Sequence, residues 1–515
     1  MLSYFKKSLL IIFLVVTALS FLSSCTVTSE KIDNADKRKS VMNSLGQLYP
    51  KESEVLTLDL KEAIRFAIEN NLEYKLNKVQ VALAYKQYDL AKFDLYPKID
   101  VNAAYNHRNR DYIKNLINTP TGDSGQSLIP HTIKTGTILF NWNVLDFGLS
   151  YVRAKQASDR YLAANEERKK IAIKIISEVV KNYSLAYYAQ ETTKKVADLE
   201  KEIKDSIDLT DQAISQAVGE PEKLLNSKKV LLELYREMRE NIVYFNQAWD
   251  KLLSLINYNS PDKLGSLQIK LLPLDPYLSK LPSIDSKLLS LDTIALYNRP
   301  ELNQALYKTQ EVQRQRYVSV LERLPGLGFN MGYNFDSDKY LKFQNWWSDN
   351  INVAWNLLQL AAIQPTLDTI DTQVKAQELT YLASSAVILG EIRVLLFNYK
   401  TKLLDYSLAE KQSVYNTAVY QQNLNVFSSG RGIEQDLIKD KITSINSELF
   451  KIRVFVDARS VLEDIIVSTG LYQTAGELLI NDRVEHTVVE KWLANFNNNQ
   501  FDNIIAAEYQ NIKNV

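Results

Sequence analysis

The chain has 515 residues, with 61 Lys and Arg against 61 Asp and Glu, so its formal net charge is zero. This balance removes the electrostatic case for a nucleic-acid partner, because binding to phosphate backbones needs a basic excess. The length exceeds what one compact core usually holds, so several domains or one very elongated fold is expected. Only 15 Gly and 12 Pro interrupt the chain, which favours long helices.

Residues 1–24 are typical of a signal segment. Lys6 and Lys7 supply positive charge, a long apolar run follows, and small residues precede Cys25. The run Leu-Ser-Ser-Cys that ends at Cys25 resembles a bacterial lipobox, in which the cysteine receives a diacylglycerol and becomes the first residue after cleavage. Cys25 is also the only cysteine. An ordinary signal peptide that happens to contain a cysteine is the alternative.

Beyond Cys25 no stretch reaches the roughly 18 uncharged apolar residues that a transmembrane helix needs. Any membrane crossing is therefore expected to be made by strands. Residues 25–56 are polar and mixed, and they predict a lipidated N-terminal tether. A helix is expected to start near Thr57.

The chain shows an internal duplication. Three segments recur in the same order: residues 67–73 match 295–301, residues 96–97 match 324–325, and residues 142–147 match 355–360. We predict a first repeat over 57–290, a second repeat over 291–470, and a C-terminal extension over 471–515. The extension contains Trp492, Phe496 and Phe501.

Each repeat contains two stretches in which apolar and polar residues alternate, which is typical of strands with one apolar and one polar face. The predicted strands cover residues 98–108, 132–144, 326–336 and 350–358. Leu139 breaks the alternation of its strand. The connecting residues 119–125 and 336–339 are polar and predict loops.

The remaining sequence predicts long helices. No Gly or Pro occurs between Leu149 and Ser215, and only Gly390 occurs between Thr366 and Phe427, so each element would span roughly 90 to 100 Å. Apolar residues at three- and four-residue steps predict coiled-coil seams. These are Ile176, Val179, Tyr183 and Ala186, and then Val196, Leu199, Ile203, Ile207 and Ile214.

Each long helix is expected to turn at a tip and to return as an antiparallel helix. The first tip is predicted near residues 216–224, with Gly219 and Pro221, and the second near residues 427–436. The returning helices are expected to reach about Asn257 and Thr469.

Four strands with an apolar face and a face of Asn, Asp and Gly are typical of membrane barrels with a watery interior. A half-buried soluble sheet shows the same alternation. Attachment to helices of about 100 Å favours the membrane, because no soluble core fits beneath the strands. Four strands cannot close a barrel, since membrane barrels start at about eight strands. Several copies must therefore pool their hairpins.

The sequence resembles the TolC-like outer membrane factors, in particular their lipoprotein members. The resemblance rests on the duplicated order of helix, hairpin and helix, on Leu95-Tyr96-Pro97 before the first strand, on residues 142–148, and on the tip glycines. It implies a mainly α chain with a membrane β-hairpin pair, which assembles as a homotrimer with a twelve-stranded outer-membrane β-barrel continued by a long periplasmic α-helical barrel. The extension over 471–515 is then expected to wrap this helical barrel at its equator.

The same resemblance implies function and partners. The chain would be a lipid-anchored protomer of the cell outer membrane, in contact with its lipid. It would form the exit duct of a tripartite efflux or type I secretion system, together with a periplasmic adaptor (membrane fusion protein) and an inner-membrane transporter. Drugs, metal ions, lipids and secreted proteins all stay open as cargo.

The family places a gate at the helix tip, built from a Tyr-x-x-Gly turn, a nearby Arg and a ring of Asp. Here Phe427 to Gly430 match that turn with Phe in place of Tyr, and Arg431 lies one position before the family's Arg. Asp436 falls on the first Asp position, whereas Lys439 stands at the second. Three Asp436 side chains around a threefold axis would form an anionic constriction; ordinary surface charge is the alternative.

No catalytic motif is found, and neither a cofactor nor a metal site is predicted. His107 and His131 flank one predicted loop, where a chance surface pair is favoured over a metal site. Aromatic residues near the strand ends fit interfacial girdles. These are Trp142, Trp355, Tyr105 and Tyr333.

Two rival functions stay open. One is a structural or adhesive coiled-coil lipoprotein of the outer membrane without a pore, against which the alternating strands argue. The other is an enzyme with an unrecognised site, which the lack of a convergent polar cluster disfavours.

Overall fold

The computed structural model describes residues 33–48, 57–110, 112–117, 124–216, 220–256, 269–274, 278–285, 287–431, 433–471 and 501–513. The chain divides into two compact units, Met1–Glu54 with Tyr258–Leu267, and Val55–Asn257 with Gln268–Val515. In the first unit, helix α1 (Asn34–Leu48) lies within the predicted tether. The signal segment and Cys25 lie outside the described residues.

In the second unit, the first helical pair starts later than the sequence predicted. Helix α2 (Leu60–Asn70) begins after Asp59, whose side chain accepts a hydrogen bond from the backbone N–H of Glu62 at 2.7 Å. Helix α3 (Leu72–Phe93) follows Asn71, which caps its first turn in the same way. Such caps satisfy the N–H groups that a first turn leaves without partners. The helix expected from Thr57 therefore begins at Leu60.

A two-residue strand occupies the position where that helix was expected. Strand β1 (Thr57–Leu58) pairs in parallel with β6 (Lys270–Leu271). The hydroxyl of Tyr183 lies 3.0 Å from the carbonyl oxygen of Leu58 and 2.9 Å from that of Leu272. The buried side chain of Tyr183 thus contacts two segments that are far apart in the sequence.

The second repeat follows the same order. Helices α6 (Leu288–Asn298) and α7 (Pro300–Leu321) are separated at Arg299, where Pro300 occupies the first turn of α7. Proline suits this position because the missing N–H would have no helical partner there. The matching segments 67–73 and 295–301 both contain such a helix break.

Four strands form one antiparallel sheet in the order β2, β5, β7 and β8. The strands are β2 (Lys98–His107), β5 (Thr132–Asn143), β7 (Gly326–Asp336) and β8 (Asn345–Ala354). Each repeat supplies one hairpin, and the pairing of β5 with β7 joins the two. The mainly α fold with a pair of hairpins is therefore confirmed. Within the described ranges, β2 and β8 each have one edge without a neighbouring strand.

The last strand lies nearer the N-terminus than predicted. Its predicted range, residues 350–358, is wrong, because β8 ends at Ala354 and a 3₁₀ turn covers Leu357–Ala362. The sequence concealed the first half of β8, where Trp346 and Trp347 are adjacent and Asp349 interrupts the apolar positions. The other three strands agree with their predicted bounds to within a residue.

A further hairpin lies between β2 and β5. Strand β3 (Tyr112–Ile117) pairs with β4 (Ser124–Ile129) in antiparallel register. The predicted loop over 119–125 is therefore wrong for Ser124 and Gly125, while residues 118–123 lie outside the described ranges. The start of β4 is polar throughout, so no alternation marks it in the sequence.

One face of the main sheet is polar, and its side chains bond across strands. The amide of Asn334 donates to the hydroxyl of Ser348 at 2.7 Å, and the amide of Asn330 donates to Asn352 at 3.2 Å. These contacts connect β7 with β8 and confirm the predicted polar face.

Glycines on this face leave room for their neighbours. A Cβ at Gly328 would lie 2.5 Å from the Asn352 side chain. Leu139, which interrupted the predicted alternation, lies 3.5 Å from where a Cβ of Gly332 would stand. Leu139 therefore covers a position without a side chain, which explains an apolar residue on a polar face.

Two long helices and their returning partners account for most of the unit. They are α4 (Val144–Ser215), α5 (Pro221–Leu255), α8 (Ile363–Ser428) and α9 (Glu434–Ser468). With 72 and 66 residues, α4 and α8 are about 108 and 99 Å long. The lengths predicted from the scarcity of Gly and Pro are confirmed.

The predicted seams are buried, apart from Ile207 and Ile214, which are half-buried. Ile176, Val179, Tyr183 and Ala186 are all at most 4% exposed. Further along α4, the seam joins a core cluster shared with α5 and α9. Its members include Val196, Leu199, Ile203, Leu231, Met238, Phe245, Ile442 and Leu449. Apolar burial along these helices is the main source of their stability, because isolated helices are marginal in water.

The chain end returns to the α6 region. Helix α10 (Phe501–Lys513) contacts α6, and Phe501 is buried. Trp492 and Phe496 lie outside the described residues.

At the end of α9, Gly470 has a φ of 69°, and a Cβ there would lie 2.8 Å from the Cβ of Asn298. This glycine lets the helix end approach the junction of α6 and α7.

Candidate functional site

The tip between α8 and α9 is a tight glycine turn. The N–H of Gly430 donates to the carbonyl of Phe427 at 2.9 Å, and the N–H of Arg431 donates to that of Val426 at 3.3 Å. Gly430 has a φ of 75°. This pair of bonds with a left-handed glycine is the Schellman arrangement that ends many helices. The glycine predicted at the tip therefore has a defined conformational role.

The tip charges form short-range pairs. Asp436 lies in the first turn of α9, and its side chain is 62% exposed. The ammonium of Lys439 lies 3.4 Å from the Asp436 carboxylate. Asp440 accepts a hydrogen bond from the amide of Asn423 at 2.5 Å. The structure thus brings Asp436 and Lys439 together, and it adds Asp440, which holds the two helices of the tip against each other.

At the tip of the first repeat, the structure describes the start of helix α5. Pro221 occupies the first turn of α5, as expected for a helix start. Gly219 lies outside the described residues. An ion pair between Lys228 and Asp211 joins α5 to α4 near this turn.

Ion pairs also join the two coiled-coil pairs, which sequence reasoning missed. The ammonium of Lys441 on α9 lies 2.6 Å from both carboxylate oxygens of Glu202 on α4. Nearby, a hydrogen bond from Tyr235 and then one from Lys204 lower the pKa of Glu200. The partners are far apart in the sequence, so no local pattern could have found them.

Aromatic side chains stand at two levels of the sheet. Trp142, near the end of β5, pairs with Phe329, and Trp355 follows β8 and donates its indole N–H to the carbonyl of Arg323 at 3.1 Å. Toward the opposite end of the strands, Tyr333 packs on Trp347 with ring centroids 5.0 Å apart. Tyr105 lies at that end of β2 and is exposed. Two aromatic levels are the arrangement expected of girdles at membrane interfaces.

Helix α8 leaves a long apolar face uncovered. Among the described helices, the stretch Leu357–Ser428 alone is long and apolar enough to cross a membrane by length and composition, yet only 17% of its apolar window is buried. The exposed side chains include Leu379, Leu382, Val387, Val394, Phe397, Leu404, Leu408 and Val414. Protein surfaces in water rarely expose many large apolar side chains along one helix unless another molecule covers them.

The two histidines of the first hairpin do lie close together. Their rings are 5.6 Å apart, and Nδ1 of His107 lies 3.0 Å from the Thr132 hydroxyl. Among the residues that the structure describes, no three His, Cys, Asp or Glu side chains converge in a way that would hold a metal.

The fold is that of the outer-membrane channel proteins. No protein-family model and no curated protein matches the chain. Among solved structures, the outer-membrane channel OprN is 15% identical, with a TM-score of 0.59 over 86% of this chain and 97% of that one. The CmeC channel of Campylobacter jejuni is 16% identical, with a TM-score of 0.60 over 85% of this chain and 89% of that one. The open-state MtrE channel of Neisseria gonorrhoeae is 17% identical, with a TM-score of 0.60 over 80% and 88%.

The resemblance to outer membrane factors is therefore confirmed at the level of the fold.

Proposed function

We propose that the chain is one of three identical protomers of an outer-membrane channel that acts as a passive exit duct and not as an enzyme. Three four-stranded sheets would close into a single barrel of twelve strands. The long helices would continue its lumen into the periplasm. The solved channels with this fold support the proposal.

The observation that carries the proposal is the four-stranded sheet with two open edges. A sheet with one polar and one apolar face and with unpaired N–H and C=O groups on β2 and β8 is incomplete in a bilayer, where every backbone group needs a partner. Pairing β8 of one copy with β2 of the next satisfies both edges. In that arrangement the polar face lines the lumen and the apolar face meets lipid.

The uncovered face of α8 supports the same assembly. A second copy is its proposed cover, because α8 is far longer than the roughly 20 residues that cross a bilayer. Side-by-side packing of the long helices of three copies would bury this face. The periplasmic ends would then meet an adaptor and an inner-membrane transporter that drives export.

The remaining assignments are part of this proposal. Cys25 would carry the lipid anchor. The two repeats over 57–290 and 291–470 would each contribute one hairpin and one helical coil, and residues 471–515 would surround the helical barrel. Asp436 would line the narrowest ring at the tip, beside Phe427, Gly430 and Arg431, with its charge offset by Lys439.

Two measurements test the proposed function. Native mass spectrometry of the full chain in detergent is expected to give a trimer, and a stable membrane-inserted monomer would refute the barrel. Planar-bilayer recording is expected to show ion conductance, which a non-channel coiled-coil lipoprotein would lack. Pull-down of inner-membrane proteins with the full chain would identify the transporter.

A further inference from the structure

One acidic side chain interrupts the apolar face of the sheet. Asp349 stands in the middle of β8 opposite Met331, and Trp347 and Ile351 flank it on the same face. It is exposed, and no hydrogen bond between described residues involves it. A carboxylate without a partner is costly among lipid chains, and ionisable residues at that depth usually have a specific partner.

Strand pairing places Asp349 at the end of a row that crosses the whole sheet. Ile99 pairs with Phe140, Phe140 with Met331, and Met331 with Asp349. The other three members of the row are apolar. Because β8 is an edge, the next position in the row belongs to β2 of the adjacent copy in the proposed barrel.

Barrel geometry indicates which residue of β2 the row reaches. With a strand tilt of about 35–45° and a strand spacing of about 4.8 Å, crossing four strands shifts the row by roughly 13–19 Å along the strand, or about four to six residues. The direction of the shift depends on which edge of β2 faces β5. The N–H of Arg108 donates to the carbonyl of His131, and this bond identifies that edge relative to the polar and apolar faces. With the right-handed twist that strands have, the row is then displaced toward the C-terminal end of β2.

Only even shifts keep apolar residues on the apolar face. Counted from Ile99, the row therefore arrives at Ala103 or Tyr105 of the adjacent copy. In the first register Tyr105 is a diagonal neighbour of Asp349, and in the second it stands directly opposite. Both positions lie within reach of an aromatic side chain.

We infer that Asp349 accepts a hydrogen bond from the hydroxyl of Tyr105 of the adjacent copy, at each seam between protomers on the lipid-facing surface. Tyr105 is 65% exposed, and like Asp349 it makes no hydrogen bond within the described ranges. A phenolic O–H donates and a carboxylate accepts, so the two groups are chemically complementary. The inference rests on the proposed function, because it requires the closed barrel.

Cysteine cross-linking tests the seam and its register. In the full chain, Asp349→Cys is combined in turn with Ala103→Cys, Tyr105→Cys and His107→Cys, and disulfide formation is followed on non-reducing gels. We expect covalently linked trimers for the pair with position 103 or 105. Asp349→Cys alone is the control for cross-linking through Cys25. Tyr105→Cys with Tyr333→Cys is the matched control, because β7 lies one strand further from the seam and beyond disulfide reach.

A second measurement tests the hydrogen bond itself. Tyr105→Phe is expected to raise the rate of trimer dissociation about tenfold, since it leaves a carboxylate without a donor. The same change made together with Asp349→Ala should have no further effect, and Tyr333→Phe on the same face should have none in either background.

The possible results distinguish a failure of the contact between Asp349 and Tyr105 from a failure of the proposed channel function. Intact, conducting trimers with no cross-link at position 103 or 105, whether or not position 107 is linked, would overturn the seam contact and leave the channel standing. Equal effects of Tyr105→Phe with and without Asp349 would overturn the hydrogen bond. A monomeric, non-conducting protein would refute the proposed function.

Discussion

Adding one methyl group at two glycines of the same helical hairpin should have opposite effects. Gly430 has a φ of 75°, and a Cβ there meets nothing within 4 Å, so the cost of Gly430→Ala is purely conformational. Holding an L-residue in the left-handed region costs about 1–2 kcal/mol. Gly390 lies inside α8, and its Cβ would also meet nothing within 4 Å. Gly390→Ala should therefore stabilise α8 by about 0.8–1 kcal/mol.

Hydrogen exchange read by mass spectrometry measures both effects locally in the detergent-solubilised protein. Peptides that contain the turn at Gly430 should exchange roughly 5- to 30-fold faster in Gly430→Ala, as expected for a loss of 1–2 kcal/mol. Peptides around residue 390 should exchange more slowly in Gly390→Ala. Unchanged or slower exchange at the tip of Gly430→Ala would refute the assignment of a strained turn, because the surrounding space is open and offers no compensating contact.

Four further outcomes are expected. Gly470→Ala should destabilise the fold by about 2–4 kcal/mol, more than the tip variant, because the strain of a left-handed backbone adds to a collision with the Cβ of Asn298. Thermal unfolding would measure this loss. In single-channel recordings, Asp436→Asn should weaken block by periplasmic cations, whereas Lys439→Asp should strengthen it. The lowered pKa of Glu200 means that its stabilising contribution is present above the pKa of the unfolded chain and is lost as pH falls through the folded pKa. Exchange protection of the peptides around Glu200 and Tyr235, corrected for the pH dependence of intrinsic amide exchange, should fall between pH 6 and pH 3, and Glu200→Gln should flatten that fall. Cys25→Ala should abolish the acyl mass that intact-mass analysis is expected to find on the native chain.

Much of the fold follows from local patterns. The lengths of α4 and α8 follow from the scarcity of Gly and Pro, and three strands were located by alternation alone. Local patterns failed where another interaction decides the structure. Because Asp59 caps its first turn, α2 begins at Leu60 and not near Thr57. The adjacent Trp346 and Trp347 break the alternation at the start of β8, so only its pairing with β7 defines where this strand begins.

The candidate site was predictable only in part. The glycine of the α8 turn was identifiable because a helix that reverses direction needs a left-handed residue. The pairing of Lys441 with Glu202 was not predictable, since it depends on how two coiled coils meet. Asp349 was not predictable as a strand residue, because it precedes the predicted strand at 350–358. Only the pairing of β8 with β7 shows that its neighbours on that face are apolar.

The polar face of the sheet has a consequence for traffic through the proposed lumen. On β7 and β8 the side chains at its centre, such as Asn330, Asn334, Ser348 and Asn352, carry no formal charge, whereas Asp100 of β2 lies in the same cross-strand row as Ser348. A solute moving along β7 and β8 exchanges hydrogen bonds with water for similar bonds with amides, and the Asp100 carboxylate of each copy would favour cations over anions at that level. The barrel would then bind passing solutes weakly and prefer cations modestly, before they are selected further at the charged tip.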